Sequence, residues 1–197
     1  MTFGHGNAPL GVFDSGVGGL SVLKALRAEL PLENFIYIAD SAHAPYGERN
    51  DAYVIARARA ITDCLVGQRI KALVVACNTA TAAAIDLLRI EYPLLPIIGV
   101  EPALKPAVAL SKTGHIAVLA TRSTLGSARF EALMAAHKGP AHIVVEPCDG
   151  LADAIEHSAH TRNATEIIAI CARVICRSGP FGTQKRRRAQ TSSATLS

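Results

Sequence analysis

The 197-residue sequence predicts an α/β protein built on parallel, doubly wound sheets. Two observations lead to this fold class. Short apolar runs of strand length alternate with longer segments in which apolar residues recur at helical spacing. Several short runs are also apolar without interruption, as at residues 72–76, which is typical of strands buried on both faces of a parallel sheet.

The predicted elements follow one another at regular spacing. We expect strands at residues 10–13, 35–39, 72–76, 96–100, 116–120 and 143–145. We expect helices at about residues 20–29, 51–67 and 79–91, two ending near 110 and 137, and two more from 151 and over 167–175. These elements predict a first α/β domain at residues 1–98, an incomplete second one at 99–176, and a disordered basic tail at 177–197.

Composition excludes several classes of protein. The longest apolar runs have only strand length, and residues 1–9 lack the features of a signal peptide, so we expect neither a membrane span nor secretion. Five cysteines without CxxC spacing favour reduced thiols in a cytoplasmic protein and give no sign of a metal site. The net charge of +4 comes from the tail, where five basic residues occur without an acidic one, and the remainder has a net charge of −1. The folded part therefore shows no sign of binding nucleic acid.

Polar residues follow most of the predicted strands. In parallel α/β sheets, ligands bind beyond the carboxyl ends of the strands, so the residues at these ends are candidates for one shared cleft. They are Asp14, Ser15, Asp40, Ser41, Cys77, Asn78, Thr79, Glu101 and Thr121.

Cys77 lies where the strand at 72–76 ends and the next helix begins. The positive end of that helix dipole is expected to lower the pKa of the thiol from about 8.5 and to favour thiolate. The backbone N–H groups of Asn78 and Thr79 are expected to be free to bind an anion such as a carboxylate. On this stretch alone, a buried structural cysteine followed by an ordinary helix cap is the favoured interpretation.

The glycine cluster after the first strand does not match a nucleotide-binding motif. Ser21 occupies the position of the third glycine of a dinucleotide fingerprint, and the sequence has no P-loop. Asp14 and Ser15 alone are explained by turn formation and capping. Considered together, Asp14, Tyr46 and Cys77 favour a site that transfers a proton at a carbon atom of a small acid.

Five segments together resemble the glutamate racemases of the aspartate/glutamate racemase family. They are residues 11–20 (GVFDSGVGGL), Asp40 with 45–47 (PYG), 76–80 (ACNTA), 99–102 (GVEP) and 119–124 (LATRST). The resemblance extends over roughly residues 8–157. It implies two similar α/β domains and a cofactor-independent enzyme that interconverts L- and D-glutamate and supplies D-glutamate for peptidoglycan.

The resemblance also assigns roles to residues. It implies two cysteine bases on opposite faces of the substrate, of which Cys77 is one, with Asp14 as its acidic neighbour. It implies that the substrate is bound by Ser15, Tyr46, Gly47, Asn78, Thr79, Thr121 and Thr124. No metal, nucleic acid or membrane is implied as a partner, and a homodimer is the assembly state to test.

The chain departs from the family at the second base. The family's second cysteine lies in a Cys-Thr-His motif, which Cys148, Cys171 and Cys176 do not match, and Cys148 is expected to be structural. We therefore expect a racemase truncated or altered in frame near residue 160. Racemisation should be impaired, because loss of a general acid or base costs about 10²–10⁴-fold in rate. Two alternatives stay open, namely a non-catalytic binder of small carboxylates and a racemase of a related acid such as aspartate.

Overall fold

The computed structural model describes residues 7–137, 139, 141–161 and 164–178, and it confirms an α/β fold with parallel sheets. The strands are β1 (Leu10–Asp14), β2 (Phe35–Ala39), β3 (Ala72–Val75), β4 (Ile97–Gly99), β5 (His115–Ala120) and β6 (His142–Pro147). The helices are α1 (Leu20–Glu29), α2 (Asp51–Gly67), α3 (Asn78–Glu91), α4 (Leu104–Leu110), α5 (Arg122–Leu125), α6 (Ala128–His137), α7 (Leu151–Thr161) and α8 (Thr165–Ser178).

One predicted helix is divided in two. The sequence predicts a single helix ending near residue 137, but α5 ends at Leu125 and α6 begins at Ala128. Ser127 explains the break, because its Oγ accepts a hydrogen bond from the backbone N–H of Phe130 at 3.1 Å and so caps the start of a new helix.

The described residues form two compact units. The first contains the chain up to residue 102 together with residues 121–132, and the second contains residues 103–120 and the chain from residue 133. The domain boundary at residue 98 stays a prediction. Helix α8 continues to Ser178, just past the start of the predicted disordered tail, and the rest of that tail lies outside the described residues.

The sheet of the first unit has the strand order β2-β1-β3-β4, with all strands parallel. Strand β2 follows β1 in the chain and lies on one side of it, whereas β4 follows β3 and lies on the opposite side. The strand order therefore reverses between β1 and β3, and the carboxyl ends of these two strands are where a ligand crevice is expected in such a sheet.

Alternating residues of β1 and β3 pack on opposite faces of this sheet. Val12 and Val74 are buried on the face covered by α1. Phe13 and Val75 are fully buried on the other face, where α2 and α3 pack. Cys77 belongs to this second cluster, which places it at the edge of the larger part of the core.

The second unit contains a two-stranded parallel sheet in which β5 pairs with β6 from His115 opposite His142 to Ala120 opposite Pro147. A small apolar cluster of Cys148, Ala154 and Ile170 joins the end of β6 to α7 and α8. Among the residues that the structure describes, no helix combines the length and apolarity needed to cross a membrane.

Candidate active site

Cys77 is positioned by the pairing of β3 with β1 and by the start of α3. The N–H of Ala76 donates to the carbonyl of Phe13 at 2.8 Å, which continues the pairing one residue beyond β3. The Cys77 Sγ then accepts a hydrogen bond from the N–H of Ala80 at 3.5 Å, and its carbonyl accepts from Thr81 at 2.9 Å. Only 6% of Cys77 is exposed. The thiol is therefore a buried cap of α3.

The β1 carboxyl end brings Ser15 to this thiol. The Cys77 thiol donates a hydrogen bond to the Ser15 Oγ at 3.5 Å. The neighbouring Asp14 carboxylate accepts from the N–H of Gly19 at 2.8 Å and from that of Gly16 at 3.3 Å. Asp14 thus closes the glycine turn that carries Ser15, in agreement with the turn-forming role that its position also predicts.

Gly19 is required at this turn because the space beside it is occupied. A Cβ at this position would lie 2.5 Å from the Asp14 Cβ and 2.8 Å from the Tyr37 Oη. Any other residue would displace the Asp14 side chain. The turn and the carboxylate are therefore packed as one unit beside Cys77.

The pKa of the Cys77 thiol is raised to about 11, first by its burial and second by the negative charge of Asp14. Ser15 and Ala80 lower this pKa because both can donate a hydrogen bond to the thiolate, but these are smaller effects. The expectation that the pKa of Cys77 is lowered is therefore wrong for the protein without a bound ligand. The dipole of α3 was the only influence visible in the local sequence, whereas burial and the Asp14 charge arise from the fold.

Three threonine hydroxyls form a second group of the first unit. The Thr79 Oγ1 lies 3.0 Å from the Thr121 Oγ1 and 3.4 Å from the Thr124 Oγ1. Thr121 also caps α5 through the N–H of Thr124. Gly47 lies against the same group, because a Cβ there would be only 2.7 Å from the Thr121 Cβ. The predicted pair Thr121 and Thr124 thus meets Thr79 and Gly47.

Tyr46 is buried in the same apolar cluster as Cys77. Its hydroxyl donates to the Asp40 Oδ2 at 2.5 Å. Burial and the Asp40 carboxylate raise the pKa of Tyr46 far above its usual range, so the hydroxyl keeps its proton. Asn78, by contrast, is an exposed residue at the first position of α3.

Arg57 was not among the residues expected from the sequence, and it binds Asp40 through two hydrogen bonds of 2.8 Å. The one signal in the sequence was its position in α2, three residues after the buried Val54, because residues at this spacing lie on the same side of a helix. Glu101 was a strand-end candidate, but its carboxylate accepts a hydrogen bond from Arg129 at 2.9 Å. Glu101 is therefore part of an ion pair of the first unit.

The other described cysteines differ in exposure. Cys64 is exposed on α2 and Cys171 is half-buried on α8. Cys148 is buried in the apolar cluster of the second unit, where its thiol donates to the Glu146 carbonyl at 3.8 Å. No group of three or more His, Cys, Asp or Glu side chains among the described residues has the arrangement of a metal site.

This arrangement suits a small carboxylate. Hydroxyl groups of Ser15, Thr79 and Thr121, together with the first two N–H groups of α3, can serve as donors to an anion. The Cys77 thiol lies 3.5 Å from the Ser15 hydroxyl, at the point where the strand order reverses. Donors for a carboxylate next to a thiol make acid–base chemistry on a bound acid the reaction that the geometry best supports.

Comparison with known proteins agrees with this chemistry. A family model described as Asp/Glu/Hydantoin racemase matches residues 20–180. The glutamate racemase of Ectopseudomonas mendocina is 52% identical over 158 residues, which are 80% of this chain and 60% of the relative. The chain thus spans about three fifths of the length of the curated relatives it matches.

Solved structures give the same result. The Escherichia coli glutamate racemase, in complex with L-glutamate and the activator UDP-MurNAc-Ala, is similar with a TM-score of 0.75 and 33% identity over 85% of this chain and 63% of that one. The Francisella tularensis glutamate racemase, in complex with D-glutamate, is similar with a TM-score of 0.70 and 29% identity over 86% and 62% of the two chains.

Proposed function

The chain belongs to the Asp/Glu/hydantoin racemase family, and from this premise we propose that it binds glutamate and transfers a proton at the α-carbon through Cys77. The observation on which the proposal depends is the distance of 3.5 Å between the Cys77 Sγ and the Ser15 Oγ, in the unit that also contains the Thr79 hydroxyl group. The complexes of two similar racemases with L- and D-glutamate support glutamate as the ligand.

The proposed binding set is the one the motifs imply. Ser15, Thr79, Thr121 and Thr124 supply hydroxyl donors for carboxylates. Gly47, Tyr46 and Asn78 would supply backbone or amide donors to the same ligand. The negative Asp14 complements the ammonium group of the amino acid.

The proton step begins from a protonated sulfur. At pH 7 the Cys77 thiol is neutral, because burial and Asp14 disfavour the thiolate. A bound ammonium group would offset the Asp14 charge and lower the pKa of Cys77, so that the thiol can release its proton to water and the resulting thiolate can take the α-proton. Donors fixed around the carboxylate would then stabilise the negative charge that develops on the substrate. We propose that this chemistry needs no metal and no pyridoxal cofactor.

The chain is expected to complete only one half of racemisation. None of its other four cysteines is followed by Thr-His, the sequence in which the family's second base occurs. With one thiol, a proton removed from one face returns to the same face. We therefore propose exchange of the α-proton with solvent, retention of configuration, and negligible racemisation of glutamate.

Proton NMR of L- and D-glutamate incubated with the protein in D₂O tests this proposal. One enantiomer should lose its α-proton signal while chiral chromatography detects no inversion, and Cys77→Ser should abolish the exchange. Racemisation at an ordinary enzyme rate, about 1 s⁻¹ or more, would refute the single-base proposal. Exchange that persists in Cys77→Ser would refute the role of Cys77.

The raised pKa of Cys77 favours a second candidate, a binder of small carboxylates without catalysis. Calorimetric titration separates the two, because a binder retains affinity for glutamate without α-proton exchange. The same experiments with aspartate test the third interpretation, which requires faster exchange of aspartate than of glutamate. A homodimer and a cytoplasmic location stay predictions, and light scattering after gel filtration tests the first.

A further inference from the structure

The carboxylate of Asp40, directly after β2, is the centre of a hydrogen-bond network that the proposed proton transfer does not use. Arg57 donates through Nε to Oδ2 and through Nη2 to Oδ1, each at 2.8 Å. Tyr46 donates its hydroxyl to Oδ2 at 2.5 Å, and the His43 Nδ1 lies 3.0 Å from Oδ1. Each carboxylate oxygen therefore has two partners.

These partners exclude two functions for Asp40. A carboxylate whose oxygens are all bound, and which is 8% exposed, is not available as a proton acceptor or as a ligand for an ammonium group. The bidentate geometry of Arg57 is the strongest common arrangement between a guanidinium and a carboxylate. The pair is consequently a rigid anchor between the end of β2 and the middle of α2.

The anchor acts on Tyr46. The tyrosine ring is buried against the cluster that contains Cys77 and packs edge-on to Tyr53 with ring centroids 6.5 Å apart. Because its hydroxyl proton is committed to Asp40, Tyr46 has no proton to donate to a ligand. What Tyr46 contributes is the position of its own backbone and that of the next residue, Gly47.

Gly47 connects the anchor to the candidate site. Its Cα approaches Thr121 so closely that a Cβ would lie 2.7 Å from the Thr121 Cβ. The Thr121 Oγ1 is in turn 3.0 Å from the Thr79 Oγ1. A short path of direct contacts, all in the first unit, thus runs from Arg57 through Asp40 and Tyr46 to the threonine group.

We propose that Arg57 and Asp40 are positioning residues that hold the Tyr46–Gly47 turn in the conformation that binds the substrate carboxylate. This inference rests on the proposed function, because it concerns the same site. Its physical basis is preorganisation: a turn already held in place does not lose conformational freedom when the ligand binds.

Arg57→Ala and Arg59→Ala form a matched pair of variants. Arg59 lies two residues further along α2 and makes the same kind of bidentate contact with Glu91, but on the exposed surface. Both variants remove one guanidinium from one carboxylate, and only the first touches the path to Tyr46. Arg57→Lys retains the positive charge but loses the planar fork.

The first measurement is the affinity for glutamate. We expect Arg57→Ala to weaken binding about tenfold or more, the loss typical of a hydrogen bond to a charged group. Arg57→Lys should recover part of this loss, and Arg59→Ala should bind as the native chain does. The inference is wrong if Arg59→Ala weakens binding as much as Arg57→Ala, or if neither does.

The second measurement needs no ligand. A buried tyrosine hydroxyl bound to a carboxylate should give a downfield, slowly exchanging proton resonance in NMR, assigned by its loss in Tyr46→Phe. This resonance should broaden or move in Arg57→Ala and remain in Arg59→Ala. An unchanged resonance in a folded Arg57→Ala variant would overturn the inference even if stability fell. If the native chain bound no glutamate, the proposed function would fail, and this resonance alone would decide whether Arg57 holds Tyr46.

Discussion

Replacing Asp14 with asparagine should lower the pKa of the Cys77 thiol without returning it to the ordinary value. Burial and the Asp14 charge together raise this pKa from 9.0 to about 11. Burial is the larger cause, and an amide of the same shape leaves it unchanged. We therefore expect the pKa in Asp14→Asn to lie between these two values.

The size of the effect follows from the two pKa values. A shift from 9.0 to about 11 is a difference of roughly 3 kcal/mol between thiol and thiolate. At pH 7 about one molecule in 10⁴ then has a thiolate at position 77. Each pKa unit that Asp14→Asn removes should raise the thiolate population about tenfold. The rate of alkylation should rise by a smaller factor, because a less basic thiolate is a weaker nucleophile.

Alkylation with iodoacetamide between pH 7 and pH 9, followed by mass spectrometry of the Cys77 peptide, measures this effect. The exposed Cys64 is an internal reference in the same sample. In this pH range a variant rate above the native rate shows that the pKa of Cys77 has fallen. Ser15→Ala is the opposing control, because the Ser15 hydrogen bond lowers the pKa and its loss should slow alkylation.

Two results would refute this reasoning. Equal rates for Asp14→Asn and the native chain would mean that the carboxylate does not influence the sulfur. An inflection of the native rate well below pH 9 would mean that the dipole of α3 outweighs burial, as the local sequence predicts.

Three further predictions concern stability and binding. Because the Cys77 pKa is raised in the folded state, its contribution to stability is complete below pH 9 and is lost as the pH rises towards 11. The free energy of unfolding, measured by urea denaturation, should therefore depend less on pH in Cys77→Ser than in the native chain over this range. Leu65→Ala should lower the free energy of unfolding by about 3 kcal/mol because Leu65 is fully buried, whereas Leu32→Ala, at a 97% exposed residue, should change it by less than about 0.5 kcal/mol. Gly47→Ala should weaken glutamate binding roughly tenfold in calorimetry with a retained fold, because the new methyl group displaces the turn from Thr121.

Local signals were sufficient for most of the fold. The end of α2 at Gly67 and the start of α1 at Leu20 follow from neighbouring glycines, which typically flank helices, and from helical spacing of apolar residues. The position of Cys77 between β3 and α3 follows in the same way. The division between α5 and α6 was not predicted, and its one local signal is Ser127, the residue directly before α6.

The chemistry of the site depended on distant residues. Asp40 and Arg57 are 17 positions apart in sequence, and no local pattern links them. The charge state of Cys77 depends on Asp14, which is brought near only when β1 pairs with β3. Residue identity at strand ends thus predicts where a site lies, while its protonation and its positioning network require the three-dimensional structure.

The return of residues 121–132 to the first unit has a consequence for dissecting this protein. A polypeptide ending at residue 102 would retain Cys77 but would lack Thr121 and Thr124, which contact Thr79 and Gly47. The uninterrupted stretch that keeps these contacts, residues 1–132, would also carry residues 103–120 of the second unit. A fragment confined to the residues of the first unit would need residues 121–132 supplied as a separate peptide, or a designed junction that joins residue 102 to residue 121.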